Sequence, residues 1–392
     1  MAGDTADPTN SPATSIPPDS RESQSSLEEG VALCLSGGGY RAMLFHLGSL
    51  WRLNDAGLLP KLARISSVSG GSITAGVLGW RWKSLEFAAN GVAQQFSSEI
   101  VSRVRRLADR TIDEGAIIAG ILSPDTISEK VVKAYRKHLF EGNSPTLQDL
   151  PPDPPRFVIN ATNVQSGALW RFMRPYMRDY RVGEVKNPTT ELAIAIAASC
   201  AFPPVLSPLR LELPDGAVTA PDDGTEDLHF PPYTTDIQLT DGGVYDNIGI
   251  ETAWKRYATI LVSDSGGKME AEAEPKTDWA RHALRINDLI DNQVRSLRKR
   301  QVIDSYKAGV RKGTYWGIRT NIADYGLQPT LECPFEKTIL LAGLRTRLKR
   351  LDAKVQEQVI NWGYAVCDAA LRRHVDTDIP IGTFPYPDVG VG

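Results

Sequence analysis

The chain has 392 residues, 42% hydrophobic and 23% charged, which excludes a fibrous or wholly disordered protein and allows one large α/β domain with a tail. Its 44 Lys and Arg against 47 Asp and Glu leave a net charge of −3, so the global positive field of a non-specific nucleic-acid binder is absent and no nucleic-acid partner is expected. No run reaches the roughly 18 to 20 apolar residues of a spanning helix, the N-terminus lacks a basic region followed by an apolar core, and Cys34, Cys200, Cys333 and Cys367 lack zinc spacing. A cytoplasmic protein with reduced thiols and no metal is the expectation.

In chain order, residues 1–29 are rich in Ser, Pro, Asp, Thr and Glu and read as a disordered tail. An apolar strand at 31–35 runs into Gly37, Gly38 and Gly39, and Met43, Leu47, Leu50 and Trp51 then recur at helical spacing. A second strand at 63–68 meets Ser69, Gly70 and Gly71 before a small-residue helix at 72–82. Segment 84–150 is mainly helical, a possible cap, and closes in a proline cluster that no helix interior tolerates. Further strands are expected at 156–161, 168–172, 237–240 and 259–262, with a buried helix at 192–200. Long helical stretches at 279–310 and 346–374 should pack on the sheet, and 376–392 read as a C-terminal tail. Strands alternating with helices predict a three-layer α/β/α sandwich with a mostly parallel central sheet over residues 30–375.

Three loops carry chemistry. Ser69 lies in Ser67-Val68-Ser69-Gly70-Gly71 between a strand and a helix, the context of a nucleophile elbow, with Ser67 where the usual pattern has glycine. Gly37-Gly38-Gly39-Tyr40-Arg41 follows the neighbouring strand and opens a helix, so its backbone N–H groups suit an anion or oxyanion. No GK[ST] follows, which excludes a Walker loop, and the second strand ends without the acid a dinucleotide ribose needs. An oxyanion hole fits best, because the elbow is on the adjoining strand. Asp241-Gly242-Gly243 puts a carboxylate at a strand end, where it can act as a base; an Asp-Gly turn is the plainer alternative. None of the five histidines sits in an obviously catalytic loop: His46 lies on an apolar helix face, and a triad with a late histidine stays open. Arg41 reads as a support for the glycine loop, a ligand for a lipid phosphate, or a surface arginine.

Ser36-Gly37-Gly38-Gly39-Tyr40-Arg41 resembles the oxyanion motif of patatin-like phospholipases, with Ser36 in place of their usual Asp. Ser67-Val68-Ser69-Gly70-Gly71 resembles their nucleophile motif. Ala198-Ser199-Cys200-Ala201-Phe202-Pro203-Pro204 is similar to their Ala-Ser-x-Ala-x-Pro block, and Asp241-Gly242-Gly243 to their DGG. The resemblance runs in the family's order over residues 31–264. It implies a Ser69/Asp241 dyad without histidine, oxyanion donors from Gly37, Gly38 and Gly39, and acyl-ester hydrolysis on lipids without metal or other cofactor. A phospholipase A or lysophospholipase is the reading, against an α/β-hydrolase esterase with a Ser-His-Asp triad or a non-catalytic lipid-binding module on the same fold.

From Arg281 to Lys312 nine Lys or Arg face three Asp, a local balance of +6, and Leu289, Ile290, Val294 and Leu297 recur at helical spacing. A core-packed helix with a solvated basic face is the first reading. Peripheral contact with an anionic membrane is the second.

Overall fold

The computed structural model describes residues 27–112, 127–220, 225, 227–345 and 347–392. The expected N-terminal tail before residue 27, and the 113–126 part of the possible cap, lie outside the described residues. Chain order is β1 (Glu28–Leu35), α1 (Gly39–Asp55), β2 (Leu62–Val68), α2 (Gly70–Arg81), α3 (Ser102–Ala108), α4 (Ile127–His138) and β3 (Arg156–Asn163). There follow β4 (Leu169–Phe172), β5 (Tyr176–Asp179), β6 (Gly183–Lys186), α5 (Leu192–Ser199), β7 (Leu209–Glu212) and β8 (Asp236–Asp241). The one-turn helices α6 (Gly243–Asp246) and α7 (Glu251–Trp254) precede β9 (Tyr257–Asp264), α8 (Trp279–Lys307), β10 (Lys312–Gly317), α9 (Phe335–Ala342) and α10 (Ala353–His374).

All ten strands join one sheet in the order β10-β9-β1-β2-β3-β4-β5-β6, with β8 on β3 and β7 on β8. The five strands from β10 to β3 are parallel, and antiparallel strands extend the sheet beyond them. Alternate residues of β1 enter opposite cores. Leu33 and Leu35 join the large apolar cluster with α1, α2 and α10, while Ala32 and Cys34 join a smaller one with Ile260, Val262 and Val302. A strand buried on both faces is the signature of a parallel sheet between two helix layers, so the predicted α/β/α sandwich is present.

α1 and α10 pack backbone to backbone. A Cβ on Gly48 would overlap the Ile360 carbonyl, and one on Gly363 the Phe45 carbonyl, so only glycine permits this approach. The buried Arg52–Asp368 pair, 2.7 Å apart, ties the same helices together. The consequence for the site is that the start of α1, which carries the glycine loop, is anchored along its whole helix.

The structure departs from the sequence reading in five places. β5, β6, β7 and β10 are short or polar, and β6 (Gly-Glu-Val-Lys) has no alternation to read. The last helix starts at Ala353; residues 347–352 are not helical, and there the Arg347 carbonyl accepts the Tyr40 N–H (3.0 Å) and the Leu348 carbonyl accepts the Ile112 N–H (2.8 Å). Residues 376–392 are no loose tail, because Asn361 Nδ2 donates to the Tyr386 and Gly390 carbonyls (2.8 Å each) and Ile379 and Val391 are buried. The described parts of 84–150 bury Phe96, Val104, Leu107, Tyr135 and Phe140 in the main core, so they form part of the domain layer.

The fifth departure concerns α8. Only Val302 and Ser305 are buried on this 29-residue helix, so its N-terminal two thirds do not pack on the sheet. Asn292, Arg295 and Lys299 face the protein, and Arg298 reaches Glu251 (2.9 Å), which turns Trp279, Ile286, Ile290, Val294 and Leu297 outward; Trp279 is 86% exposed. Among the described residues no helix is long and apolar enough to cross a membrane.

Candidate active site

β2 runs directly into Ser69, whose φ of 50° and ψ of −121° lie in a region that non-glycine residues rarely occupy. Such strain, stored at a strand-to-helix turn, presents a hydroxyl away from both flanking elements. The next two residues must be small. A Cβ on Gly70 would overlap the Gly39 backbone, and one on Gly71 would lie 2.7 Å from the Leu35 carbonyl, so elbow and glycine loop are in direct contact. Ser67, in the usual glycine position, donates to the Val158 carbonyl (3.1 Å) and accepts from Ser72 (3.0 Å), which satisfies its hydroxyl inside the sheet.

Ser199, at the end of α5, braces the elbow. Its Oγ accepts the Ser69 N–H (2.9 Å) and donates to the Asn160 carbonyl (2.6 Å), while Asn160 Nδ2 holds the Ser67 carbonyl (2.9 Å). Ser199→Ala leaves a buried N–H unpaired at the strained residue. We expect it to cost about 1 to 3 kcal/mol in denaturant unfolding and to lower turnover without changing the pH profile of the remaining activity.

Asp241 meets Ser69 because β3 changes partners between them. β2 pairs with β3 up to Val68 opposite Asn160; at the next residue, Ala161, the partner is Asp241 of β8. The carboxyl is almost fully buried. Its Oδ1 accepts the Gly243 N–H (2.7 Å), whereas Oδ2 has no hydrogen-bond partner among the described residues. Burial pushes its pKa up to about 7, against the opposing influence of the Gly243 N–H and the Ser69 hydroxyl and with some help from Asp291. The Ser69 hydroxyl is thus among the groups that act on this carboxyl, although no hydrogen bond between the two is formed. An acceptor with a pKa near neutrality is suited to general-base work at physiological pH.

The glycine loop is shaped by Gly38 (φ 141°) and Gly39 (φ 59°), both left-handed. Here the structure corrects one predicted donor. The Gly37 N–H is taken by the Asn247 carbonyl (2.9 Å), and a Cβ on Gly37 would overlap the Asn247 side chain, so Gly37 is a packing residue. The N–H groups of Gly38 and Gly39 have no acceptor among the described residues, and they lie at the positive end of the 17-residue α1.

Arg41 is neither a surface residue nor a hand extended to substrate. It is 3% exposed, and its guanidinium donates to the carbonyls of Ser265 (2.7 Å), Leu344 (2.6 Å) and Ala342 (3.2 Å). Burial, and then the charge of Arg319, push its pKa down to about 10, which leaves it cationic at neutral pH. A cation held by carbonyls alone keeps its field, and that field lies behind the glycine loop.

No histidine is hydrogen-bonded to Ser69 or Asp241. His46 is fully buried between the Ser36 carbonyl (2.9 Å) and the Ser263 hydroxyl (2.8 Å), and burial pushes its pKa down to about 4. His229 contacts the Val182 carbonyl (2.8 Å), His282 lies on exposed α8, and His374 ends α10 beside Tyr325.

A family model described as patatin-like phospholipase matches residues 33–254, more than half of the chain. The chain belongs to the patatin-like phospholipase family. Solved structures that it resembles include human GIVD cytosolic phospholipase A2, at 12% identity and a TM-score of 0.43, covering 87% of this chain and 58% of that one. Another is VipD from Legionella pneumophila, at 13% identity and a TM-score of 0.37, covering 89% and 68%. This chain thus spans little more than half the length of the phospholipase A2. A search of curated proteins finds no match.

Within this family member, the sequence reading named Ser69, Asp241 and the loop glycines but missed Asn160 and Asn247, and it named Ser199 only as part of a motif. Isolated Asn and Ser residues on strands and turns carry no spacing signal. Their roles exist only once β3 and α5 have been brought beside the elbow.

Proposed function

We propose that this chain is a serine acyl hydrolase acting on phospholipids, of phospholipase A or lysophospholipase type, with Ser69 as nucleophile and Asp241 as its base. The observation that carries the reading is the buried Asp241 carboxyl, whose Oδ2 has no partner among the described residues and whose pKa, raised by burial, is drawn down by the hydroxyl of the strained Ser69, with no histidine bonded to either. The Ser69 proton passes to Asp241 as Oγ attacks the acyl carbonyl carbon. The oxyanion that forms is held by the N–H groups of Gly38 and Gly39, with the α1 terminus and Arg41 behind them. Collapse breaks the ester bond; Asp241 returns the proton to the departing alcohol, and the acyl group stays on Ser69. Water, deprotonated by Asp241, then attacks the acyl carbon and releases the fatty acid, and Asp241 hands that proton back to the departing Ser69 Oγ. No metal or other cofactor takes part in these steps.

Exposed Phe202 and Val205 lie on the loop whose Ala201 carbonyl accepts the Asp241 N–H, exposed Val244 lies on α6 just after Asp241, and α8 contacts α6. We assign these residues and the outward stripe of α8 to peripheral contact with a lipid surface, made by a cytoplasmic protein. The basic side chains that border the stripe suit an anionic interface. Ile290→Asp/Leu297→Asp should reduce co-sedimentation with anionic vesicles by roughly 10-fold or more and leave cleavage of a monomeric short-chain ester within about twofold. The function itself is tested by incubating vesicles with wild type and Ser69→Ala and measuring released fatty acid and lysophospholipid by mass spectrometry. Release by wild type alone supports the reading. Equal release by both, or by neither, contradicts it.

A further inference from the structure

Beside the glycine loop, at the C-terminal ends of β9 and β10, lies a cavity of about 290 Å³ to which the chemistry above assigns no role. Ligands of open parallel sheets bind at this end of the strands. Lys268, Arg295, Lys299 and Arg319 line it, against the single carboxylate of Asp264. Four cations around one anion, in a chain of net charge −3, is a local reversal that packing alone does not call for.

The charges are only partly spent on one another: Lys299 pairs with Asp264 at 3.9 Å and lies 4.7 Å over the Tyr315 ring, which leaves the other three. Lys268 and Arg295 make no ion pair or hydrogen bond among the described residues, and Arg319 donates only to the Ala342 carbonyl (3.3 Å). Asp264 is occupied. It accepts from the Tyr315 hydroxyl (2.6 Å) and the Gly266 N–H (2.8 Å), and Lys299 Nζ lies 3.9 Å away, so it orients the wall of the cavity. Asp291 of α8 also feels Arg295 but lies outside the lining. The cavity is coupled to the catalytic loop by Ser265, whose N–H donates to Ser36 Oγ (2.7 Å) and whose carbonyl holds Arg41 (2.7 Å). One residue further, Gly266 belongs to the cavity wall, and Arg295 lies so close that a Cβ there would be crowded by its guanidinium.

We propose that this cavity binds a phosphoryl group, supplied by the head group of an anionic phospholipid, and thereby favours anionic over zwitterionic lipid at the neighbouring site. Several cations converging on one small space match a group that carries more than one negative charge and several acceptor oxygens. The lipid source rests on the phospholipid reading above; the anion site does not.

The test is made in the Ser69→Ala protein, so that binding is read without turnover. Vesicles of phosphatidylcholine alone are compared with vesicles that also hold phosphatidic acid, and inorganic phosphate is titrated separately by calorimetry. Lys268→Gln/Lys299→Gln should weaken binding to the phosphatidic acid vesicles by roughly 10- to 30-fold and leave phosphatidylcholine binding unchanged. Lys61→Gln/Lys186→Gln, the same charge change at exposed positions away from the cavity, should leave both unchanged. Because Lys268 is exposed, Lys268→Gln alone gives a variant whose folding is not at issue and should show the same loss in smaller measure. If the double variant loses inorganic phosphate while vesicle binding holds, the phosphoryl site stands and its ligand is a soluble phosphate. If neither phosphate nor phosphatidic acid binding changes in these variants, the proposal is overturned, whatever the fate of the hydrolase reading.

Discussion

Asp241→Asn should lower kcat on a short-chain ester by roughly 10²- to 10⁴-fold and, above pH 7, melt at a higher temperature than wild type. The two effects share one cause. Burial raises the pKa of this carboxyl to about 7, so the folded protein must hold a nearly unsolvated charge whenever the base is in its active form. The folded state binds this proton more tightly than the unfolded chain does. The stabilising contribution is therefore complete below the ordinary carboxyl pKa and is lost as pH rises through about 7. Asparagine carries no such charge and keeps the acceptor for the Gly243 N–H, so its stability should be flat across that window. Activity of the wild type should do the opposite and rise with pH through about 7, toward a plateau. Thermal melts and initial rates between pH 5 and 9 check both halves. A variant that melts lower at every pH with turnover unchanged would make Asp241 a turn residue.

Replacing the nucleophile separates chemistry from strain in the same way. Ser69→Ala and Ser69→Gly should each lower turnover by at least about 10³-fold. Their stabilities should differ. Alanine keeps the Cβ that makes a φ of 50° costly, while glycine occupies that region freely, so Ser69→Gly should be more stable than Ser69→Ala by about 1 kcal/mol. The Ser199 hydroxyl should grip the residue 69 N–H in both variants, which keeps the elbow in place for the comparison. Equal stability would mean that the turn relaxes once the hydroxyl is gone, and that the serine itself holds the strained geometry.

The parts of the molecule readable from sequence are those whose signal is local. Val31, Leu33 and Leu35 form an apolar run ended by glycines, and the elbow and glycine loop announce themselves by residues that only a tight turn requires. Asp241 is readable as a strand-end carboxylate, and the resemblance implies its pairing with Ser69, yet the exchange of β2 for β8 along β3 between Asn160 and Ala161 is recorded by no periodicity. Gly37 is named in a role that its backbone partner alters, and of the readings offered for Arg41 its partners favour support of the glycine loop. The sequence shows a glycine and an arginine in the right motif, but not that Asn247 takes one N–H or that three carbonyls occupy the guanidinium. α8 misleads for a different reason: an apolar stripe predicts an amphipathic helix without saying which face meets the protein. Here the cations line a cavity and the apolar side faces out.

The central claim, that Asp241 activates Ser69 without a histidine, is tested most directly by site-mapped labelling with a fluorophosphonate. Wild type should acquire one adduct, on Ser69, at a rate that rises with pH through about 7. Asp241→Asn should slow that rate by at least about 100-fold, and the quadruple variant His138→Asn/His229→Asn/His282→Asn/His374→Asn should label as wild type does. An unlabelled Ser69, or labelling that survives Asp241→Asn and fails in the histidine variant, would contradict the account.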